Sequence, residues 1–461
     1  MKIIEQIAHT NFGRVERVLL DDGTVAARKV FEPNSVMVQA AQLPGLRKRF
    51  AREVKVQRQL PAHLVVPVIA ADLDANPPWF VMPLAEGTFE HGLQALKQNS
   101  STLLGAFGQV LDALAGLHAL GYAHRDLKPS NILLHEGKWK LADFGLVLPI
   151  EANTTKLTIS HQAFGTQLYG APEQFVDFKK AGPAADIFAF GCILHDCFGN
   201  SARAPCQRVS APGKIGAVIE KSTELDPKKR FKSVAGLRAA LFEVLATPPE
   251  APNETEATHT AALWAAKLEN IDHMQPAEII EMARFVRGVE HPAFAHALFT
   301  ALTEERIVRL KDRDPDSWTD IANQYCEWAK TPHFDFNYCD VLVLRLIMIY
   351  EHGSVEVKAN AVLATAVLAE QHNRWFVMNR LFDMCGPGMD INVAQRVAIE
   401  IRAGELETDF RKCAIVISRT VGEFHPAICA VLVPSAPPLV PPPPSVPPTP
   451  PQPPDDDWDS F

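Results

Sequence analysis

Three stretches decide the reading of this chain: HRDLKPSNILL (124–134), LADFGL (141–146) and GTQLYGAPE (165–173). Each short string is common by chance when taken singly. In this order and at this spacing they are not. Upstream, Arg14–Leu20 and Val25–Phe31 alternate in character as strands do, whereas Thr102–Ala119 carries apolar residues at helical spacing. Downstream, TPPEAPNETEA (247–257) is rich in Pro and Glu and reads as a linker. Residues 258–433 read as mainly helical, for example PAEIIEMARFVRGV and VEVKANAVLATAVLAEQ, with Pro or a preceding Asp at several helix starts. KCAIVISRTVGEFHPAICAVLV (412–433) fits strands and helices equally. Residues 434–454 hold 13 of the 36 prolines, so that tract is expected to be extended, disordered and coreless. It leads into DDDWDSF, where two aromatics in an acidic field resemble a short docking motif for a basic, apolar groove.

Composition narrows the class. With 461 residues, 47% hydrophobic and 21% charged, the chain is expected to be globular and multidomain rather than disordered. Eight cysteines without a C-x-x-C pair suit free thiols in a reducing compartment. MKIIEQIAHT lacks the apolar core of a signal peptide, and VLVLRLIMIY (341–350) is too short for a membrane span and contains Arg345. A cytoplasmic protein with no membrane association is expected. Residues 1–246 hold 28 Lys and Arg against 23 Asp and Glu, a net +5, while the rest of the chain holds 17 against 31, a net −14, giving −9 overall. This asymmetry favours contact between the halves or with separate partners, and argues against nucleic acid as a partner of the second half.

Together the three motifs resemble the eukaryotic-type (Hanks-type) serine/threonine protein kinases over residues 5–245, with bacterial members most similar. The resemblance implies an α+β bilobal protein-kinase fold. A small β-rich N-lobe (1–82), a hinge (83–85) and a larger α-helical C-lobe (86–246) would precede the mainly helical domain and the tail. It implies transfer of the ATP γ-phosphoryl group to protein Ser/Thr hydroxyls, with Mg2+ as cofactor and Mn2+ as an alternative ion. Asp126 would orient the hydroxyl and take its proton, with Lys128 beside the transferring phosphate. Asn131 and Asp143 would hold the metal, their hard oxygens suiting magnesium. Lys29, in TVAARKVF, would hold the α- and β-phosphates and pair with Glu53. Ala8, Gly13, Val15, Ala27, Met82, Leu84 and Leu133 would line the nucleotide pocket, with Met82 at its gate. Asp186 would tie the catalytic loop from below, Arg230 would pair with Glu173, and Thr166 would shape the hydroxyl site.

The chain departs from the family pattern in three places. The glycine-rich loop reads Ala8-His9-Thr10-Asn11-Phe12-Gly13, with only its third glycine retained, which predicts weaker nucleotide binding. Gln57 stands where the family has an apolar residue, which predicts a loosely docked Glu53 helix needing a partner or phosphorylation to settle. The span from Asp186 to Arg230 is short, so a substrate-platform helix is expected to be reduced or missing. Thr154, Thr155, Thr158 and Ser160 are candidate phosphosites, because Arg125 precedes Asp126 and a phosphate pairs well with arginines. Protein substrates are implied, together with protein partners for the helical half and for the tail. The competing reading is a pseudokinase scaffold that binds nucleotide or partners without turnover. The degenerate loop and Gln57 favour it, and the complete set of charged motif residues opposes it.

Overall fold

A computed structural model describes residues 1–10, 13–33, 42–144, 148–149, 167–178, 181–248, 255–332 and 334–433. The first part of the chain forms an antiparallel sheet from β1 (Lys2–Thr10), β2 (Gly13–Leu19), β3 (Val25–Phe31), β4 (Ala70–Asp72) and β5 (Trp79–Pro83), in the order β1-β2-β3-β5-β4. Between β3 and β4 lies α1 (Leu43–Gln59), which starts with a proline in its first turn and buries Leu46, Phe50, Glu53, Val54, Val56 and Gln57. Phe50 packs between Phe31 and Phe80, with ring centroids 5.6 and 5.4 Å away, so one aromatic stack glues the helix to β3 and β5.

Gln57 is buried and held through one end of its amide, while its Oε1 has no hydrogen-bond partner. Its Nε2 donates to the Val66 carbonyl, tying the end of α1 to the loop that follows. The amide replaces an apolar contact with a hydrogen bond to a backbone acceptor that burial would otherwise leave unmet.

Next come β6 (Gly87–Thr88), α2 (Phe89–Leu96), α3 (Ser100–Ala119), β7 (Tyr122–Ala123), β8 (Ile132–His135), β9 (Lys138–Leu141) and β10 (Leu148–Pro149). α3 is capped by Asn99, whose side chain accepts from the Thr102 amide, and buries Leu103, Phe107, Leu111 and Leu114 among its core residues. α4 (Pro172–Val176), α5 (Pro183–Phe198), α6 (Ile215–Ser222) and α7 (Val234–Leu245) complete this layer. Between α5 and Arg230 there is a single α-helix, the eight-residue α6, besides a short 3-10 turn at Pro227–Lys229, and no helix covers 199–214.

The remaining described residues are helical: α8 (Glu256–Leu268), α9 (Pro276–Gly288), α10 (His296–Ala301), α11 (Glu304–Arg313), α12 (Pro315–Ala329), α13 (Tyr338–His352), α14 (Val355–His372), α15 (Trp375–Met384), α16 (Ile391–Ala403), α17 (Glu407–Val416) and α18 (Pro426–Leu432). The ambiguous stretch 412–433 is therefore mainly helical, with its apolar residues Cys413, Ala414, Ile428 and Leu432 buried. α8 begins inside the stretch read as linker, because Thr255 caps it: its side chain accepts from the Thr258 amide.

The two helical regions share one core. Buried apolar residues from Leu103 to Ala246 and from Ala261 to Leu432 form a continuous cluster. α7 packs on α3 with one face and on α13 with another. At the junction Arg238 and Arg374 both reach Asp340, each with a 2.6 Å contact, and Arg345 pairs with Glu243 at 2.9 Å. A Cβ on Gly108 of α3 would sit 3.0 Å from the Phe242 ring and 3.2 Å from Arg238. Bare backbone at that position lets α7 approach α3.

Candidate active site

A cleft of about 570 Å3 opens between the five-stranded sheet and the helical layer. Strand register builds its roof: Val15 lies opposite Lys29, Lys29 opposite Phe80, and Ala27 opposite Met82. Ala8, Val15, Ala27, Lys29, Met82, Leu84 and Leu133 all line the cleft, as do Asp126, Lys128, Asn131 and Asp143. Gly13 stands outside the lining. A Cβ there would meet the Val30 carbonyl oxygen at 2.2 Å, so this glycine is needed for β2 to close on β3.

Charge is concentrated at the back of the cleft. Lys29 Nζ lies 2.7 Å from Glu53 Oε1 and 2.9 Å from Asp143 Oδ1. Burial disfavours the Lys29 charge, but Asp143 and Glu53 outweigh it and hold the ammonium firmly protonated. Burial likewise works against the Asp143 carboxylate, yet Lys29 brings its pKa down to about 2. For Glu53, burial prevails over Lys29 and pushes the carboxyl above the usual range.

The floor is a strained loop held by hydrogen bonds. Arg125 and Asp143 both adopt left-handed backbone, with φ of 65° and 61°. For a non-glycine residue this conformation costs on the order of 1 kcal/mol and persists only where surroundings enforce it. At Arg125 the enforcer is Asp186, fully buried, which accepts from the His124 amide at 2.8 Å and the Arg125 amide at 2.7 Å. His118 Nε2 lies 2.7 Å from the same carboxylate. Gln174 holds the loop from another side, its Nε2 donating to the Arg125 carbonyl at 2.8 Å.

On this floor Lys128 Nζ donates to Asp126 Oδ2 at 3.0 Å. Asn131 Nδ2 donates to the Asp126 carbonyl at 2.7 Å and to its Oδ2 at 3.1 Å. Asn131 is thereby oriented with its amide nitrogen on Asp126. Burial raises the Asp126 carboxyl pKa, Lys128 opposes the rise, and nearby Asp143 adds to it. Further from the cleft, Arg230 grips Glu173 with two bonds of 2.7 and 2.9 Å, and also donates to the Ala184 carbonyl at 2.8 Å.

The structure thus brings Lys29, Glu53, Asp126, Lys128, Asn131 and Asp143 around one cleft, with Asp186 beneath it and the Glu173–Arg230 pair behind. Thr154, Thr155, Thr158, Ser160 and Thr166 lie outside the described residues. Sequence reasoning missed His118, Gln174 and the cleft-lining pair Thr88 and His91. Gln174 directly follows the APE string and was open to suspicion. His118 sits near the end of α3, where the sequence gives no local sign of its partner 68 residues away.

Comparison with known proteins places these features. Residues 1–232 match the family model described as protein kinase domain. The probable serine/threonine-protein kinase PkwA of Thermomonospora curvata is 35% identical over 188 residues, covering 40% of this chain and 24% of that protein. The serine/threonine-protein kinase AfsK of Streptomyces coelicolor is 32% identical over 162 residues, 35% of this chain and 20% of that protein. PknL of Mycobacterium tuberculosis, also a serine/threonine-protein kinase, is 29% identical over 249 residues, 48% of this chain and 62% of that protein. The chain therefore spans under a quarter of the length of the first two relatives and somewhat more than half of the third.

Proposed function

The chain belongs to the protein kinase family, and from that premise we propose that it transfers the γ-phosphoryl group of ATP to serine and threonine hydroxyls of protein substrates. One observation carries the reading: Lys29 bridges Glu53 and Asp143 at 2.7 and 2.9 Å in the cleft that also holds Asp126 and Lys128. Phosphoryl transfer depends on positioning and charge stabilisation more than on covalent help from the protein. Asp126, at the floor, accepts the hydroxyl proton and aims the oxygen. Lys128, bonded to it, sits as a compact cation where charge develops on the phosphoryl oxygens. Lys29 is fixed by two carboxylates and presents a permanent charge to the α- and β-phosphates.

The donor chemistry fits a hard divalent ion. Asn131 and Asp143 offer oxygen, and among the described residues no cluster of three or more His, Cys, Asp or Glu forms a separate metal cage. Asn131 and Asp143 would hold Mg2+, or Mn2+ in its place, and the bound ion would neutralise phosphate charge.

Activation fits the same electrostatics. Burial lowers the Arg125 pKa, Asp186 opposes the change and Arg52 adds to it; a phosphate brought near Arg52 and Arg125 would meet two positive charges. Thr154, Thr155, Thr158 and Ser160 are the proposed acceptors. The helical half is proposed to serve protein partners as well as to support the kinase half. The described residues contain no helix long and apolar enough to cross a membrane, and a cytoplasmic location is proposed.

A nucleotide-binding scaffold without turnover is the second reading, favoured by Ala8 and Thr10 where glycines would let the loop approach phosphate. Incubation of the full chain with γ-labelled ATP and a generic protein substrate, followed by acid hydrolysis, separates the two. Labelled phosphoserine and phosphothreonine are expected. Phosphotyrosine alone, or ATP binding with no transfer, would sink the proposal.

A further inference from the structure

Three consecutive residues of the second half, Arg374, Trp375 and Phe376, lie where it meets the kinase half. Arg374 binds the buried Asp340, with Nε 2.7 Å from Oδ1 and Nη2 2.6 Å from Oδ2. Phe376 lies under the Arg238 guanidinium of α7, 3.5 Å from ring centroid to carbon. Trp375 reaches further forward. Its ring carries the Lys138 ammonium 3.4 Å from the centroid and meets the His63 ring edge-on at 5.7 Å.

Those two contacts lie on the pieces that position the phosphate-binding charges. His63 belongs to the loop after α1, the helix of Glu53. Lys138 begins β9, the strand that ends two residues before Asp143. The loop and strand are stitched together: the Leu141 amide donates to the Leu64 carbonyl, and the Val66 amide to the Leu141 carbonyl, both at 3.2 Å. Gln57 then ties α1 to the same loop through the Val66 carbonyl. A contact on both His63 and Lys138 therefore bears on the separation of Glu53 and Asp143, the two carboxylates that Lys29 must bridge.

We propose that Trp375 is a positioning residue for this cleft: seated on Lys138 and His63, it braces the α1–β4 loop against β9 and keeps Glu53 and Asp143 at the spacing that Lys29 spans. The seat suits the task. Trp375 is partly exposed and packs at the edge of the shared core, with its ring turned to Lys138. A cation held over an indole face is attracted electrostatically and remains hydrated on its other side. The neighbours Arg374 and Phe376 fix the height of the ring by their own contacts to Asp340 and Arg238. Through this ledge, anything that shifts α15 changes the cleft without touching nucleotide.

The proposal rests on the kinase reading for its consequence but not for its test. In the full chain, Trp375→Ala and Trp375→Phe are compared by two readouts. The first is amide hydrogen exchange at Val66 and Leu141, with α14 as internal reference. The second is kcat and KM for ATP. Trp375→Ala is expected to speed exchange at Val66 and Leu141 while leaving α14 protected, and to lower kcat/KM for ATP by about fivefold, a typical size for coupling through packed elements. Trp375→Phe, which retains a ring for Lys138, should restore most of both. Unchanged exchange at Val66 and Leu141 in Trp375→Ala overturns the brace, whatever turnover does. Exchange that rises equally in α14 makes Trp375 a general packing residue and also overturns it. Absence of phosphate transfer by the unaltered chain defeats the kinase reading instead, and the exchange result still decides the brace.

Discussion

At the scale of single residues, the account depends on a few charges kept in unusual states by burial and by each other. Glu53 and Asp126 both have carboxyls raised above the ordinary range, the first by burial against the pull of Lys29, the second by burial and Asp143 against Lys128. Each must be ionised to act, Glu53 to hold Lys29 and Asp126 to take a proton. A raised pKa means that protonation begins at higher pH, so activity is lost as pH falls through that value. The pH profile of kcat/KM for ATP should show an acidic limb above the roughly 3.9 of an ordinary aspartate. In Glu53→Gln the contribution of Glu53 to that limb disappears and kcat/KM falls about tenfold. A profile identical to the parent would contradict the role given to Glu53. The identities of these residues were legible in the sequence because each sits in, or at fixed distance from, a motif whose chemistry needs that residue type. Their protonation was not legible, since burial and facing charges come from segments up to 114 positions apart, as in Lys29 and Asp143. Left-handed backbone at Arg125 was equally hidden, because arginine gives no sign of it.

At the scale of elements, β2 and β3 were readable from alternation and the Glu53 helix from its place after Lys29, whereas the docking of α7 against α13 was not. Patterning reveals that a helix has an apolar face but not which partner covers it. The charged contact at this junction is specific. Asp340 is fully buried between Arg238 and Arg374. Burial works against its carboxylate, the two arginines outweigh burial, and its pKa is depressed. A depressed folded pKa contributes stability above the unfolded value of about 3.9, lost as pH falls through the folded value. Asp340→Asn leaves the buried Arg374 without its bonded carboxylate and Arg238 with Asp112 alone, 3.2 Å from its Nε, and should cost about 3–5 kcal/mol in denaturant unfolding at neutral pH. The variant should also lose part of the parent's stability decline below about pH 4. A change under about 0.5 kcal/mol would show that water or other groups already carry these charges. The bond that holds Gln57 was hidden at this scale too: its acceptor, the Val66 carbonyl, lies in a loop whose course the sequence does not reveal.

For the whole molecule, the boundary drawn from the Pro- and Glu-rich stretch 247–257 marks a real change of composition, but not a change of core. The buried cluster runs through both halves, and Leu237, Leu241 and Phe242 of α7 lie in the region that α13 helps to cover. A chain ending at residue 248 should therefore lose its cooperative thermal transition or melt at least about 10 °C lower than the full chain, measured by differential scanning calorimetry. Equal melting temperatures would make the helical half a tethered module. The charge asymmetry between the halves pointed to contact between them or with separate partners, and the ion pairs at the junction realise the first of these locally. The central claim remains that Lys29, Asp126 and Asp143 meet around one nucleotide to drive phosphoryl transfer. Its most direct test is transfer of label from γ-labelled ATP by the full chain and by Asp126→Asn, with ATP affinity measured on both. The account predicts ATP affinities within about threefold of each other and transfer reduced at least about a hundredfold in the variant. Equal transfer by the two proteins would contradict it.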